Sequence, residues 1–419
     1  MHILYLHQHF STPDGSTATR SFAFARALVA RGHRVTLATG RYQGAETGIS
    51  GPFRKGRREG RVAGFQVVEW NIPCANAMGM AARSIAFLRY AAAATRLALR
   101  EKPDLVIASS TPLTVVLPAL CAKAFRGIPF IFEIRDPWPE LPRAMGVLPA
   151  PIAPFMEFLA NLACRRAAAV VALSEGMAET ARARGADPAR VQVIGNGCDL
   201  DLFGPHIAPW RPAEATSWEV LALYAGAHGR ANGLGVVVEA ARLLAAQGET
   251  RLRILLVGEG AEKAALMRAA ADLPNITFLS PMPKRDVAGL FAGSQIALHI
   301  LADCPAFAAW TAPNKLMDGL AAGRPVITTA PGDAARLLTE GGAGVAVAPG
   351  DAAGLAAALV SLVEDPARRA AMGEAARCLA VRQHDRRLLT ARFVALVEAM
   401  PFAQPALSKP VHLAVVGRG

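Results

Sequence analysis

The sequence contains few cysteines, and none of them lies close to another. All six occur singly, with no CxxC pattern. This spacing argues against a zinc site and against a disulfide framework, because both need cysteines in recognisable groups. We therefore expect a reducing, cytoplasmic environment. The six are Cys74, Cys121, Cys164, Cys198, Cys304 and Cys378.

A long uninterrupted hydrophobic run is also missing, although the chain is apolar overall. Hydrophobic residues make up 53% of the sequence and the mean hydropathy is +0.28, both high for a soluble protein. Residues 105–122 are uncharged over 18 positions, close to the ~20 that a membrane-spanning helix needs. This segment contains Ser109, Ser110 and two prolines, so a strand, a turn and a new helix explain it better. The opening MHILYLHQHF is too short and too rich in histidine for a signal peptide.

Acidic residues are fewer than basic ones. The chain has 33 Asp and Glu against 45 Lys and Arg, which gives a net charge of +12. This excess favours an anionic partner, although charge alone does not choose between nucleic acid, lipid head groups and phosphorylated substrates.

Two basic features stand out in the first 100 residues. RKGRREGR, at residues 54–61, is predicted to form a loop, and three arginines further on fall within an arc of about 40° on one helix face. Solvated charge is the ordinary explanation, and docking on an anionic membrane surface is the sharper one. The residues concerned are Arg54, Lys55, Arg57, Arg58, Arg89, Arg96 and Arg100.

Short apolar, β-rich runs alternate with alanine-rich amphipathic stretches along the chain. This alternation is typical of βαβ units on parallel sheets. A length of 419 residues suits two domains rather than one. Periodicity is lost at residues 197–217, which we interpret as a linker. We therefore predict an α/β fold with doubly wound, Rossmann-like domains at 1–200 and 201–385. A helix that returns to the first domain, and then a tail, would occupy 386–419.

The first predicted strand leads into a candidate ligand-binding turn. In parallel α/β sheets, ligands lie at the carboxyl ends of strands, against helix N-termini. Gly15 would let the backbone approach a ligand, and Arg20 lies one turn into the next helix, although an ordinary βα turn explains both. His7 and His9 lack a third ligand at metal spacing, so pocket lining is favoured over metal binding.

A second group of polar residues ends the predicted strand FIFEIRD. Glu133, Arg135 and Asp136 place three charges at the end of an apolar strand, which is costly unless they are paired or face a ligand. A structural ion pair of Arg135 with Asp136 and a ligand-binding role both remain open. DLD at 199–201 lies in the predicted linker, so a hinge turn is favoured over metal binding.

The second domain begins with a strand and a glycine-bearing loop, LYAGAHGRANGLG. With His228, Gly229 and Arg230, this loop could cradle a phosphate through its N–H groups, a helix end and one arginine. The next strand is followed by Gly258 and Gly260, whose GxG spacing would suit a nicotinamide-dependent oxidoreductase. The third glycine of that fingerprint is missing, so the signal is weak.

TAPNKLMDGLAAGRPVI, at residues 311–327, carries a charged pair in an apolar run. Lys315 and Asp318 are three residues apart, so they lie on the same face of a helix. A helix that belongs to a core needs partners for two such charges. The pair therefore indicates a ligand at this helix.

Three stretches together resemble one family, the retaining family 4 glycosyltransferases of GT-B fold. They are residues 171–203, 255–283 and 313–327, and the likeness extends in order over nearly the whole chain. FEIRDPWPE, YAGAHGRANGL and PNK look most like a subgroup that acts in bacterial surface polysaccharide assembly and includes transferases of N-acetylated amino sugars such as L-fucosamine. The resemblance implies two Rossmann-like domains that face each other across a cleft.

The resemblance also implies roles for the candidate residues. Lys315 and Arg230 would bind the donor diphosphate, Asp136 would complete the reacting centre, and Asp318 would accept hydrogen bonds from the ribose. Contacts to the acceptor or the transferred sugar are expected from His7, Arg135 and His228. The remaining donor-binding positions are Gly15, Gly229, Gly258, Gly260, Met282, Pro313 and Asn314.

The expected donor is a nucleotide diphosphate sugar that carries a hexose or an N-acetylamino sugar. The expected acceptor is a glycan or a polyprenyl-diphosphate-linked glycan, with no role for nucleic acid. No metal or other cofactor would be required, because cations and N–H donors can stabilise the departing diphosphate. The protein would work in the cytoplasm or on the inner face of the plasma membrane.

The chain departs from the family pattern in the donor site. The family usually has a Glu eight residues before its ribose-binding acid, where this chain has Trp310, and that acid is Asp318 rather than Glu. The common Arg and Lys of the second domain's first loop are replaced by Ala227 and Asn232. These changes keep an alternative open, a non-catalytic GT-B subunit that binds a nucleotide sugar or a partner transferase.

Overall fold

Two β-sheets flanked by helices form the framework of the protein. A computed structural model describes residues 1–16, 19–75, 78–312 and 314–400. Its strands are β1 (His2–Leu6), β2 (Arg34–Tyr42), β3 (Arg57–Val62), β4 (Phe65–Cys74), β5 (Leu105–Ser109), β6 (Phe130–Ile134), β7 (Ala169–Ala172), β8 (Val191–Val193), β9 (Val220–Ala225), β10 (Leu252–Val257), β11 (Ile276–Leu279), β12 (Ile296–His299), β13 (Val326–Thr328) and β14 (Gly344–Ala346).

The helices connect these strands and cover both faces of each sheet. They are α1 (Arg20–Ala30), α2 (Met80–Glu101), α3 (Val116–Arg126), α4 (Glu140–Ala144), α5 (Ala153–Arg166), α6 (Glu175–Ala183), α7 (Gly235–Ala246), α8 (Lys263–Ala269), α9 (Lys284–Gly293), α10 (Asn314–Ala321), α11 (Asp333–Glu340), α12 (Ala352–Glu364), α13 (Pro366–Gln383) and α14 (Arg386–Glu398). Among the described residues, none of these helices is both long enough and apolar enough to cross a bilayer.

The first sheet has eight strands in the order β3-β4-β2-β1-β5-β6-β7-β8, and only β3 is antiparallel to its neighbour. Its central strands read as continuous apolar runs because both faces are covered. Ile3 and Tyr5 pack towards α1 and α14, whereas Leu4 and Leu6 pack towards α2, α3, α5 and α6. This arrangement leaves the carboxyl ends of the strands free to border a ligand site.

The second sheet has six parallel strands in the order β11-β10-β9-β12-β13-β14. From β9 the chain adds β10 and β11 on one side and then crosses to β12 on the other side, so the strand order reverses between β9 and β12. A crevice opens at such a switch point, outside the carboxyl ends of the two strands. The predicted α/β fold with two doubly wound, Rossmann-like domains is confirmed.

The chain passes between the domains twice. After β8, the backbone N–H of Cys198 donates to the carbonyl of His384 at 2.6 Å, and the N–H of Arg386 donates to the carbonyl of Cys198 at 3.0 Å. α14 then lies on the first domain, where the rings of Phe24 and Phe393 stack with centroids 4.1 Å apart. Residues 386–400 therefore pack with the first domain, and the predicted tail, 401–419, lies outside the described residues.

The sequence predicted a loop for the basic segment 54–61. Most of this segment belongs instead to strand β3. Arg57 pairs with Glu59 at 2.8 Å, and Arg58 pairs with Glu69 at 2.8 Å. Two of the four cations of this segment that were candidates for membrane docking are thus already neutralised by neighbouring carboxylates.

Candidate active site

A cleft of about 1100 Å³ separates the carboxyl edges of the two sheets. Both domains contribute to its walls, as the sequence predicted for two domains that face each other. The first domain contributes Ser16, Tyr42, Gln43, Gly44, Asp136 and Leu141. From the second domain, the polar or charged side chains on the wall are Glu259, Lys284, His299, Trp310, Thr311, Asn314, Lys315 and Asp318.

Lys315 reaches the cleft from the first turn of α10. Its Nζ donates to Oδ1 of Asn232 at 2.7 Å and lies 5.1 Å from the ring centroid of Tyr224. The side chain passes over Gly226, where any Cβ would overlap Cε of Lys315. Burial lowers the pKa of Lys315 to about 8, and the nearby carboxylate of Asp318 opposes this shift. The ammonium group is thus mostly charged at neutral pH and has little water around it.

Asp318 lies one turn further along α10, on the same face. Its Oδ1 forms an ion pair with Nζ of Lys284 at 3.0 Å. Burial raises the pKa of Asp318, while the positive charge of Lys284 lowers it. The two helix positions singled out by their spacing therefore both border the cleft, and each has one polar neighbour in place.

Lys284 is a cleft residue that the sequence reasoning missed. It is the first residue of α9, directly after Met282 and Pro283, and its Nζ lies between Asp318 and Asp199, 3.4 Å from Oδ2 of the latter. The sequence signal that could have identified Lys284 was a lysine at the first position of a helix that follows the end of a strand.

Asp199, in the first position of the DLD sequence, is held at the crossing between the domains. The guanidinium of Arg386 pairs with it, and Oγ1 of Thr19 donates to its Oδ2 at 3.2 Å. Burial raises the pKa of Asp199, but the positive charges of Arg386 and Lys284 outweigh this effect and keep the pKa below its usual value. The cleft is therefore linked to the domain crossing through Lys284 and Asp199.

The glycine loops after β9 and β10 pack backbone against backbone. Gly258 has a φ of +143°, and a Cβ there would overlap the carbonyl oxygen of Gly226. A Cβ on Gly260 would overlap the carbonyl oxygen of His228. Both glycines border the cleft, as does Met282, so the predicted nucleotide-binding positions lie together.

His228 lies behind this wall rather than in it. Its side chain is fully buried, and its backbone N–H and carbonyl bond to Glu259 and Glu262 of the neighbouring loop at 2.9 and 3.0 Å. Burial lowers the pKa of His228 to about 4. The imidazole is not on the cleft wall, so its position gives no support to the expected contact with the acceptor or sugar, which stays a prediction.

Arg230 is also placed differently from the prediction. It lies in a 3-10 turn, Arg230–Asn232, with its side chain exposed to solvent, and neither it nor Gly229 borders the cleft. Asn232, the third residue of the same turn, faces inward to Lys315. The structure therefore gives no positional support to a diphosphate contact from Arg230, which stays a prediction.

Three charged or polar residues were expected on the first-domain wall: His7, Arg135 and Asp136. Of these, only Asp136 faces the cleft. Asp136 lies on the surface, where its Oδ2 accepts from Oγ1 of Thr111. His7 is buried, with Nδ1 at 2.7 Å from Oγ of Ser21 and Nε2 in contact with Nη1 of Arg135. His7 and Arg135 therefore bind each other and support the wall from behind.

Glu133 and Arg20 form a buried ion pair at 2.8 Å. Arg20 also donates to the carbonyls of Ile194 and Gly195, where the chain leaves the first domain. The expected ion pair of Arg135 with Asp136 is thus replaced by a pair of Glu133 with Arg20. Asp136 borders the cleft instead, and its ligand role stays a prediction.

Gly15 packs its loop tightly against the loop after β2. A Cβ at Gly15 would overlap Oγ of Ser11, and the N–H of Ser16 donates to the carbonyl of Gly44 at 2.9 Å. Ser16 and Gly44 border the cleft, while Gly15 stays one residue behind. Its role is to bring these neighbours to the surface.

Trp310, at the position where the resembled family has a carboxylate, connects the two domains. Its Nε1 donates to Oγ1 of Thr180 at 3.1 Å, and its ring packs on the core of the first domain. The carbonyl of the preceding Ala309 accepts from Oγ of Ser174 at 2.9 Å. Pro313 lies outside the described residues, while Asn314 begins α10 and borders the cleft.

Family models and one curated relative match this chain. A model described as "Glycosyl transferase 4-like domain" matches residues 15–197, and one described as "Glycosyl transferases group 1" matches residues 219–365. D-inositol 3-phosphate glycosyltransferase of Kribbella flavida is 27% identical over 205 residues, which is 46% of this chain and 47% of that protein. The match thus spans about half the length of this curated relative.

Solved structures resemble the fold over almost the whole chain. Alr3699/HepE of Anabaena in complex with UDP-glucose superposes with a TM-score of 0.66 at 18% identity, covering 95% of this chain and 99% of that one. WaaG, a glycosyltransferase involved in lipopolysaccharide biosynthesis, gives a TM-score of 0.67 at 18% identity, with 95% and 100% coverage. With both domains matched by glycosyltransferase models and the two-domain architecture shared throughout, this chain belongs to the glycosyltransferases of GT-B fold.

Proposed function

We propose that this protein is a retaining glycosyltransferase that moves a hexose or N-acetylamino sugar from a nucleotide diphosphate sugar to a glycan or lipid-linked acceptor. The observation that carries the proposal is the pair on α10. Lys315 and Asp318 lie one turn apart on the cleft wall, each held by a single polar neighbour. A diphosphate linked to a ribose offers an anion for the lysine and two hydroxyl groups for the carboxylate.

In the proposed reaction, the bond between the sugar and the diphosphate breaks as the acceptor oxygen bonds to the same carbon. The barrier lies in separating an anionic diphosphate from an oxocarbenium-like sugar. Lys315 stabilises the departing diphosphate, together with the free N–H groups at the start of α10. A preorganised donor of this kind contributes about 3 to 4 kcal/mol to the transition state.

The acceptor proton passes to the departing phosphate on the same face of the sugar. This route needs no side-chain base, so Asp136, which the first domain places on the cleft surface, is available to orient the acceptor or the sugar. In this proposal Lys315 supplies the positive charge, so no divalent metal is required, and Asp318 binds the ribose hydroxyls.

We place the reaction in the assembly of bacterial surface polysaccharides. The support comes from the sequence resemblance of FEIRDPWPE, YAGAHGRANGL and PNK to that subgroup, and from a structural neighbour described as acting in lipopolysaccharide biosynthesis. With a lipid-linked acceptor, the protein would work on the cytoplasmic face of the plasma membrane.

A binding screen of UDP, GDP, dTDP and their sugars, followed by transfer assays, tests the proposal. Lys315→Ala is expected to lower turnover on the order of 100-fold to 1000-fold while the melting temperature stays close to that of the parent. Arg268→Ala removes an exposed positive charge from the same domain, away from the cleft, and should change turnover only slightly. If the melting temperature of Lys315→Ala falls in parallel with its activity, the loss reflects unfolding and contradicts a phosphate role.

The same screen separates an enzyme from a non-catalytic subunit. Trp310 is the observation that favours a subunit, because it bonds to Thr180 where the resembled family has a carboxylate. Tight binding of a nucleotide sugar without turnover on a broad acceptor panel would support the subunit.

A further inference from the structure

Two outer helices of the first domain expose large apolar side chains. On α2, Ile85 and Leu88 are 58% and 55% exposed, and on α5, Phe155 and Phe158 are 51% and 62% exposed. Neighbouring exposed side chains are Met80, Val147 and Ile152. Single exposed apolar residues are common on protein surfaces, but several of them on two helices that both pack against α3 indicate a contact surface. We call the solvent-facing sides of α2 and α5 the outer face.

Unpaired arginines border the apolar side chains of this outer face. At about 100° per residue, Arg89, Arg96 and Arg100 form a strip along α2 beside the strip of Ile85 and Leu88. None of the three has a partner among the described residues, and α2 contains no acidic residue before its last position. α5 repeats the arrangement, with its phenylalanines near the start and Arg165 and Arg166 at the end; its one acid, Glu157, pairs with Arg143.

The outer face adjoins the acceptor side of the cleft. α2 follows the carboxyl end of β4. α5 follows the segment that connects it to β6, and two residues of that segment, Asp136 and Leu141, border the cleft. Both helices cover the sheet face opposite α1 and α14. A partner bound to the outer face would therefore lie beside the mouth of the cleft.

We propose that the outer face binds the surface of a lipid bilayer that contains anionic phospholipids. Apolar side chains next to unpaired arginines match a surface where acyl chains lie beneath negatively charged head groups. A symmetric contact between two copies would bring the arginine strips together without carboxylates to pair them, which is unfavourable. The proposal goes beyond sugar transfer, since it concerns the surface on which the protein resides.

The outer face replaces segment 54–58 as the membrane-binding surface. Arg57 and Arg58 already pair with carboxylates, which leaves Arg54 and Lys55 as the free cations of that segment. No large hydrophobic side chain is strongly exposed there among the described residues. Charge without an apolar neighbour gives only weak, salt-sensitive attraction to a bilayer.

Co-sedimentation with vesicles tests the proposal without reference to catalysis. We expect the purified protein to bind vesicles of phosphatidylcholine and phosphatidylglycerol, and to bind vesicles of phosphatidylcholine alone far more weakly. Arg89→Gln with Arg96→Gln should weaken binding on the order of 30-fold, since each arginine near an anionic surface contributes about 1 kcal/mol. Arg54→Gln with Lys55→Gln removes the same charge from the other segment and should cause a much smaller loss.

The apolar half of the outer face is tested separately. Phe155→Ser with Phe158→Ser should also release the protein from anionic vesicles, and thermal melting checks that this variant is folded. Leu88→Trp provides a direct readout, because its fluorescence should shift to shorter wavelength with anionic vesicles and be quenched by brominated lipid.

Three results would overturn the proposal. They are failure of the parent protein to bind anionic vesicles, equal losses from the two double charge variants, and a dimer in lipid-free solution that Phe155→Ser with Phe158→Ser abolishes. The last result would assign the outer face to a second copy of the chain. None of them depends on donor binding, so this inference and the proposed sugar transfer can fail independently.

Discussion

The two walls of the cleft use their charged residues differently. On the second-domain wall, Lys315 and Asp318 present charge to the cleft, each with one polar neighbour. On the first-domain wall, Glu133 and Arg20 are paired out of reach of the cleft, and Arg135 is bound to His7. One wall is thus prepared for a charged ligand, while the other uses charge mainly to hold its own structure.

The difference follows from the cost of burying charge. A partly buried ionic group is unfavourable unless a protein group or a ligand pairs with it. Lys315 has an amide as its hydrogen-bond partner, so an anionic ligand would complete its interactions. Arg20 has a carboxylate and two carbonyls, so nothing more is needed.

The largest effect is expected on the first-domain wall, and on stability rather than catalysis. Arg20→Met leaves Glu133 as an unpaired charge at a fully buried position and frees the two carbonyls at the domain crossing. We expect the free energy of unfolding to fall by about 3 to 5 kcal/mol, measured by urea denaturation. Arg26→Met, at an exposed position of the same helix, is the matched control and should change it by less than about 0.5 kcal/mol. Equal stability of the two variants would contradict a structural role for Arg20.

The second prediction concerns the charge of Lys315. Burial lowers its pKa to about 8, so the free protein loses this positive charge as the pH rises through that value. We expect kcat/KM for the donor to fall by about tenfold per pH unit above pH 8. Lys315→Arg keeps the charge at all these pH values, so its profile should stay flat over the same range. An unchanged alkaline limb in that variant would assign the titration to another group.

The elements and the charged pair on α10 could be predicted because their signals are local. Alternation of apolar and amphipathic runs indicates βαβ units, and a spacing of three places Lys315 and Asp318 on one helix face. The directions of His228 and Arg230 depend instead on how their loop packs against the loop of Gly258 and Gly260, which is a long-range contact.

Lys284 and Trp310 also owe their roles to contacts between residues that are distant in sequence. The importance of Lys284 comes from Asp199 and Asp318, which are distant in sequence and meet only when both domains have folded. The replacement of a family carboxylate by Trp310 was visible, but its bond to Thr180 of the first domain was not. Sequence patterns thus locate a site on its element better than they identify the partners that come from elsewhere.

The third prediction tests whether Lys284 prepares Asp318 for the ribose. The positive charges of Lys284 and Arg386 lower the pKa of Asp318, whereas burial and the charge of Asp199 raise it. Lys284→Met should therefore raise this pKa further, so that Asp318 is neutral over a wider acidic range. The acidic limb of donor kcat/KM should move up by about 1 to 3 pH units.

Two controls separate this effect from a general loss of charge. Lys284→Arg should keep the limb near its original position, because it restores the positive charge beside Asp318. Arg285→Met removes the next, exposed cation along α9, which pairs with Asp14 of the first domain, and should leave the limb unmoved. A shift of the same size in Arg285→Met would mean that the overall charge of the cleft, rather than the contact with Lys284, governs Asp318.

The smallest effect is expected at Asp136, which faces the cleft from the first domain. Asp136→Asn removes its charge but can still accept the hydrogen bond from Thr111. If the first-domain wall mainly orients the acceptor, the Kd for the nucleotide should stay unchanged and the acceptor KM should rise about fivefold, equivalent to ~1 kcal/mol for one hydrogen bond. If turnover instead falls by about 100-fold or more, Asp136 is part of the reacting centre. That result would also give the first-domain wall a prepared charge of its own, and the contrast between the walls would no longer hold.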